Sequence, residues 1–543
     1  MKEQNPSVNR LYSAKPNSTA DPTPHCRWSL LPMLVFRVFL SGCSNLPGEA
    51  VGSMTPSPLE FTFDQYEVVT DATKHQTVLM GFLLGGAIAE LAVVSVDEND
   101  DRRLRVYAFE DDTWTPYLDT TLRREVLFVD VANINGRDRL ITYEPGRLNW
   151  FDPESATEHA LIAVTCSFNP PRSGEIPHVD LTRDLNDDDR DDLVVPDVDG
   201  FRVFIQTSDG AFADVVKVGR RAEMARIYGA GGYRYNPWGQ SGIHETDYNR
   251  DGRSDLVFWN EDRFEVHHQD EYGLFALEAK TFTIDVAFDS DTITSLVAPH
   301  GVRRRRKDHQ PVGDLEGRVL HSLTDQNGDG VADLVVFSLL GGSLWRMRST
   351  YEVHFGEPTP DGTVFAPDVG TVIESDGIPF GLGQHDFDHD GQVDVVFTTI
   401  KPRLLKAIGM IVGSLLTGSG SLDLEFYSMD GSVYPDKPSA TRKVRSYPGD
   451  SGKKTAHLSV LIGDVNGDRR SDLLVQHSWK ELRVYPGVPG QELFARRPQK
   501  IKVAMPNEEY TWLVDLNRDG KQDVLMHHPS TTEPHRVTML IAR

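Results

Sequence analysis

One stretch limits what this chain can fold into more than any other: Asp-Tyr-Asn-Arg-Asp-Gly-Arg-Ser-Asp-Leu-Val-Phe-Trp, residues 247–259. It places oxygen side chains at positions 1, 3, 5 and 9, which are Asp247, Asn249, Asp251 and Asp255. Gly252 at position 6 permits the sharp turn that gathers them. Carboxylates held this close repel; two unit charges 4 Å apart cost about 4 kcal/mol at an effective dielectric of ~20. A hard cation reverses the sign, and Ca²⁺ favours several oxygen ligands in a flexible loop. The backbone carbonyl of Arg253, at position 7, is a further donor.

The stretch recurs. It returns as Asp325, Asn327, Asp329 and Asp333; as Asp386, Asp388, Asp390 and Asp394; and as Asp515, Asn517, Asp519 and Asp523, each with glycine at position 6. Two copies lack that glycine. One is Asp184, Asn186, Asp188 and Asp192 with Asp189 at position 6; the other is Asp464, Asn466, Asp468 and Asp472 with Arg469 there. Six copies, each followed by an apolar run, mark a repeat architecture. The EF-hand shares the first half of this pattern but needs a bidentate Glu at position 12 and flanking helices. Position 12 here is Val195, Phe258, Val336, Phe397, Val475 or Met526. The runs that follow position 9 are short and rich in Leu, Val and Phe, without helical period, so each loop leads into a buried strand.

A second, alternating strand follows each run: Phe201–Ile205, Arg263–His267, Ser343–Met347, Leu424–Tyr427 and Glu481–Tyr485. Two earlier units keep the strands and lose the ligands: Glu90–Val94 with Leu104–Phe109, and Arg139–Tyr143 with Leu148–Phe151. Intact loops begin 63, 78, 61, 78 and 51 residues apart, room for four strands plus insertions. The last unit, with Val524–His527 and Arg536–Ile541, lacks an outer strand that Glu60–Asp64 can supply. The expected fold is all-β: a propeller of seven or eight four-stranded blades, eight favoured, closed by the two ends of the chain over residues 59–543.

The loop Asp-x-Asn/Asp-x-Asp-Gly-x-x-Asp-Leu, entering a strand, resembles the FG-GAP or VCBS repeat of integrin α-subunit heads and many secreted bacterial proteins. The resemblance covers roughly residues 80–543. It implies a calcium-bearing propeller, with four to six Ca²⁺ ions at the six loops. The Gly-Ala-Pro element of the integrin version is absent and only Phe380-Gly381 matches its first half. Fold and metal therefore carry over, and integrin ligand recognition does not. Asp130, in a unit without the motif, is expected to show no calcium dependence.

Residues 1–43 read as a targeting segment. Trp28–Leu40 is a mostly apolar run interrupted by Pro32 and Arg37. It is shorter than the ~20 residues that cross a bilayer as a helix and fits a signal-peptide core. Leu40-Ser41-Gly42-Cys43 resembles a bacterial lipobox, which implies cleavage before Cys43, its acylation and lipid anchoring to the cell envelope. An ordinary secretory signal with Cys43 incidental is the alternative, as is initiation at Met33. Residues 44–58, rich in Gly, Pro and Ser, read as a flexible tether. Cys166 would be the remaining free thiol, a small buried residue.

A formal net charge of −25 argues against nucleic acid, whose phosphates need basic surface. The run Arg303–Lys307 is an isolated basic loop within that acidic chain. Lys401–Gly418 has helix signals at both ends and an apolar face of Leu404, Leu405, Ile408, Ile411, Val412 and Leu415. It predicts a short helix packed on the propeller, or a contact for a partner or membrane surface. The insertion Gly229–Gly242 contains Tyr233, Tyr235 and Trp238, whose rings either pack at an edge or stack on a sugar. No Gly-x-Ser-x-Gly, His-Glu-x-x-His or P-loop occurs, and His178, His244 and His385 precede loops and could face a central channel. The function expected is non-enzymatic: binding or adhesion to a protein or glycan outside the cytoplasm. A polysaccharide lyase or hydrolase, or a lectin, on the same propeller is the alternative. Rhamnogalacturonan lyases resemble this arrangement, and fold does not fix function.

Overall fold

The apolar runs behind the loops become the second strand of each blade. Leu256, Val257 and Phe258 are all essentially inaccessible, as are Leu193–Val195 and Leu334–Phe337. Such strands are apolar on both faces because neighbouring blades cover both faces. The third strands alternate: in Arg263–His267, Phe264 and Val266 are buried and Glu265 between them is not. The computed structural model describes residues 61–73, 75–169, 174–212, 216–222, 226–229, 232–288, 317–341, 347–400, 420–447, 460–506, 510–530 and 533–543.

Eight four-stranded antiparallel sheets form a propeller ring. Blade 1 runs Gln76–Gly81, Glu90–Val96, Arg102–Glu110, Thr113–Thr121. Blade 2 runs Phe128–Ile134, Arg137–Glu144, Arg147–Asp152, Thr157–Ala163. Blade 3 comprises Thr182–Arg183, Asp192–Asp197, Gly200–Phe204 and Val216–Val218; blade 4 comprises Ile243–Thr246, Asp255–Asn260, Arg263–His267 and Lys280–Phe282. Blade 5 has Gly317–Thr324, Asp333–Leu340, Arg348–His354 and Thr371–Asp376, with an extra hairpin, Gly356–Thr359 and Gly362–Phe365. Blade 6 is built from Ile378–His385, Asp394–Ile400, Gly420–Tyr427 and Ala440–Ser446, and blade 7 from Val460–Gly463, Asp472–Ser478, Glu481–Tyr485 and Gln499–Ile501. Blade 8 takes Thr511–Val514, Asp523–His528 and Arg536–Ala542 from one end of the chain and its outer strand, Phe63–Val69, from the other.

The core is correspondingly divided. Each consecutive pair of blades encloses its own apolar cluster, from blades 1 and 2 around to blades 8 and 1. The cluster joining blades 8 and 1 unites Leu516, Leu525 and Met539 with Phe82, Leu91 and Val93, so the ring is closed by packing as well as by strand pairing.

Two expectations shift. The closing strand is Phe63–Val69 rather than Glu60–Asp64; Phe61 instead enters the core between blades 7 and 8. The third strand of blade 5 is Arg348–His354, later than Ser343–Met347, because Tyr351 and Val353 supply its buried alternation. Among the described residues the one helix is the single turn Pro237–Gln240, capped by the Asn236 side chain, which accepts Gly239 N–H at 2.9 Å. The segment 401–418, the basic run 303–307, the targeting segment 1–43 and the tether 44–58 lie outside the described residues. No helix among the described residues is long and apolar enough to cross a membrane.

Candidate metal centres

Each acidic loop joins the first strand of its blade to the second. Strand direction alternates, so all six loops emerge at one end of the ring. They share one backbone design. Asp247 accepts the N–H of Asp251 at 3.0 Å on Oδ1 and that of Gly252 at 2.8 Å on Oδ2. Asn249 Oδ1 also accepts from Asp251 N–H, at 2.9 Å, and Asp251 Oδ1 accepts from Arg253 N–H at 3.1 Å. The loops at Asp325 and Asp515 repeat all four bonds. In the other three, the position-1 carboxylate still takes the position-6 N–H.

These bonds need a left-handed backbone at positions 4 and 6. Position 4 has φ of 57° at Asp187, 60° at Arg250, 62° at His389 and 56° at Arg518, with Gly328 and Gly467 also positive. Position 6 has φ of 79–86° at the four glycines, and Asp189 and Arg469 are held at 63° and 66°. Both copies without glycine therefore adopt the same turn, against the clash that a β-carbon brings there.

Position 9 has a role that the spacing did not reveal. Asp192, Asp255, Asp333, Asp394, Asp472 and Asp523 are all buried at the first residue of the second strand. One oxygen of Asp333 accepts Gln326 N–H within the loop at 2.8 Å, and the other accepts Gly356 N–H beyond the third strand at 2.8 Å. The same bracket occurs at Asp192, Asp394, Asp472 and Asp523. At Asp255 one oxygen accepts Gln269 N–H beyond the third strand at 2.9 Å, and the other meets His268 Nδ1 at 2.9 Å. Blade 1, which has no acidic loop of this kind, keeps the anchor as buried Glu90, whose Oε2 accepts Leu84 N–H at 3.0 Å. Burial pushes the carboxyls of Asp192, Asp333, Asp394, Asp472 and Asp523 up to about 7, against the opposing pull of their backbone donors. The sequence signal for this anchor is an acid placed immediately before a wholly apolar run.

The donor set fits a hard cation. It is oxygen only, and a carboxylate oxygen that accepts one N–H retains a second lone pair. Among the described residues, Asp386, Asp388 and Asp394 bring carboxylate oxygens within 4.8 Å of one another. Burial, with the neighbouring charges of Asp390 and Asp386, raises the Asp388 carboxyl above its ordinary range. Position 7 differs among loops. Arg190 and Arg253 reach the position-5 carboxylates of Asp188 and Asp251, and Lys521 Nζ lies 3.4 Å from Asp519. In the Asp386 loop the corresponding residue is neutral Gln392, donating to Asp390 at 2.6 Å.

Other singled-out residues are placed differently. Trp238 is 1% exposed, set edge-on against Phe201 and beneath the Arg183 guanidinium, so its face is unavailable to a sugar. Tyr235 is half-buried with its ring edge-on to Phe168. Tyr233 lies on the strand Gly232–Tyr235 of a small hairpin. His178 Nε2 meets Asp130 Oδ1 at 2.8 Å, and Asp130 Oδ2 accepts Leu181 N–H at 2.8 Å. Asp130 thus bonds blade 2 to the segment entering blade 3. His244 and His385 lie on first strands, and burial pushes both down to about 4, so they stay neutral at ordinary pH. Cys166 is half-buried against the core between blades 2 and 3, and burial pushes its thiol up to about 12.

No protein-family model matches the sequence, and no curated protein matches it. Solved structures do align. BBS1N, solved in complex with ARL6DN, is 12% identical over 88% of this chain and 97% of its own, with a TM-score of 0.32. The V. cholerae biofilm matrix protein Bap1 is 11% identical over 89% and 91%, with a TM-score of 0.32. An Agrocybe aegerita lectin that recognises non-reducing terminal N-acetylglucosamine is 13% identical over 70% and 80%, with a TM-score of 0.31. Likeness at this level carries no argument about ligand or partner.

Proposed function

We propose that this chain is a calcium-binding propeller of the FG-GAP/VCBS type, serving as a non-enzymatic binding or adhesion module for a protein or glycan outside the cytoplasm. The observation that carries the reading is the convergence of Asp386, Asp388 and Asp394 in a loop whose backbone design recurs at one end of the ring. Within each loop, positions 1, 3, 5 and 9 would hold the cation through carboxylate and amide oxygens. The cation would supply the charge that lets three carboxylates share a tight turn. The ring would then present its connecting loops as a fixed surface.

Elemental analysis after dialysis against millimolar Ca²⁺ tests the metal. Four to six ions per chain are expected, and fewer than three would overturn the reading. A glycan array followed by incubation with acidic polysaccharides tests the rest: binding without new reducing ends or unsaturated products is the expected result, and turnover would make the chain an enzyme. Placement rests on the sequence of residues 40–43. Cys43→Ala should release the protein from the membrane fraction, and a variant as membrane-bound as wild type would remove the lipid anchor from the proposal.

A further inference from the structure

We infer that the Asp515 loop is the clasp of the ring, so that a cation bound there holds the remote strand Phe63–Val69 and blade 1 onto blade 8. The inference rests on the calcium reading of the loops and adds what one of them controls.

Blade 8 is the one blade assembled from two distant parts of the chain. Its third strand pairs with Phe63–Val69 along the whole of both, beginning with Phe63 opposite Ala542. The Asp515 loop touches both joints. Asp523, its position-9 residue, accepts Leu516 N–H at 2.9 Å on one oxygen and Ala542 N–H at 2.7 Å on the other. Ala542 is the very residue that registers with Phe63. Leu516, at position 2, is fully buried in the cluster shared with Phe82, Ala89 and Leu91 of blade 1. Its carbonyl accepts Ala89 N–H at 2.7 Å. Arg518, at position 4, sets its guanidinium 3.6 Å from the centre of the Phe82 ring.

The geometry couples ligation to closure. A cation drawing Asp515, Asn517, Asp519 and Asp523 together fixes positions 2 and 4 between them, which are the two residues that grip blade 1. Without it the carboxylates repel, and Lys521 is placed to offset only Asp519. Loops such as that of Asp386 also contact a neighbour, as when Val393 N–H donates to Gln326 O at 2.8 Å. There the adjoining blades remain joined by the chain itself. At the Asp515 loop, the strands Thr511–Val514, Asp523–His528 and Arg536–Ala542 are joined covalently to blade 1 only the long way round, and Phe63–Val69, which leads directly into blade 1, is held to them by pairing alone.

Hydrogen exchange of the whole protein, read by mass spectrometry in millimolar Ca²⁺ and in chelator, tests this. Chelator should speed exchange of amides 63–69 about tenfold or more, as local opening free energy falls. Asp519→Asn should show that opening even in Ca²⁺, whereas Asp390→Asn should loosen blade 6 and leave residues 63–69 protected. Arg518→Ala, which keeps every ligand, should raise exchange at 63–69 with calcium affinity unchanged. If Asp519→Asn leaves 63–69 as protected as wild type while Asp390→Asn still loosens blade 6, the clasp is wrong and the calcium reading stands. Protection that ignores calcium at every loop would overturn both.

Discussion

At the scale of single residues, position 6 shows what the turn demands. Asp189 and Arg469 hold φ near 65° while donating their N–H groups to Asp184 and Asp464 at 2.9 and 2.7 Å. A left-handed backbone at a residue with a β-carbon costs roughly 1–2 kcal/mol, and glycine returns part of that as unfolded-state entropy. Arg469→Gly should therefore stabilise the protein by about 0.5–1 kcal/mol, measured by denaturant unfolding, because the backbone bond is kept and the strain is not. Trp238 illustrates the opposite limit of reading a sequence. Its polar surroundings fit a sugar platform, yet the residues that cover it, Phe201 and Arg183, come from blade 3, and local spacing does not show a remote partner.

At the scale of elements, the loops, the second strands and most third strands were legible because each carries a period or a fixed spacing. The first and fourth strands were not. Thr182–Arg183 has two residues, and Val216–Val218, Lys280–Phe282 and Gln499–Ile501 have three each. A fourth strand has one strand neighbour and an open edge, so it needs no unbroken apolar run. Position 9 was legible as a recurring acid but not as a bracket, since its second partner lies at or past the end of the third strand. The bracket separates two variants. Asp472→Ala strands the buried N–H groups of Val465 and Gly487 and should cost roughly 2–4 kcal/mol even in chelator. Asp468→Ala, at position 5, should cost much less in chelator and show its effect mainly when calcium is present. Equal losses for the two in chelator would deny position 9 its separate structural part.

At the scale of the whole molecule, the buried carboxyls set a pH dependence. A carboxyl raised on folding keeps its proton in the folded state where the unfolded chain has released it. Its stabilising contribution is complete below about 4 and is lost as pH climbs through about 7. Asp192, Asp333, Asp394, Asp472 and Asp523 all act this way. His244, His321, His385 and His528, pushed by desolvation down to about 4, act oppositely: their contribution is present above about 6.5 and lost as pH falls. Above pH 6.5 only the aspartates change. In chelator, Tm should fall as pH rises from 6.5 to 8, and calcium should flatten the fall by favouring the ionised carboxylates; a calorimetric Tm independent of pH in chelator would contradict this.

The pairing of Phe63–Val69 with Arg536–Ala542 also fixes the order of folding. Thr70 and His535, bonded through backbone at 2.8 Å, stand 465 residues apart in sequence. Closing so long a loop costs entropy before any contact rewards it. Seven blades can assemble from neighbouring segments, but the eighth must wait until those seven have brought its two halves together. Until then Arg536–Ala542 presents an open, largely apolar strand edge, a template for pairing with another chain. The slow step of maturation and the window for aggregation are thus the same event, the docking of one seven-residue strand.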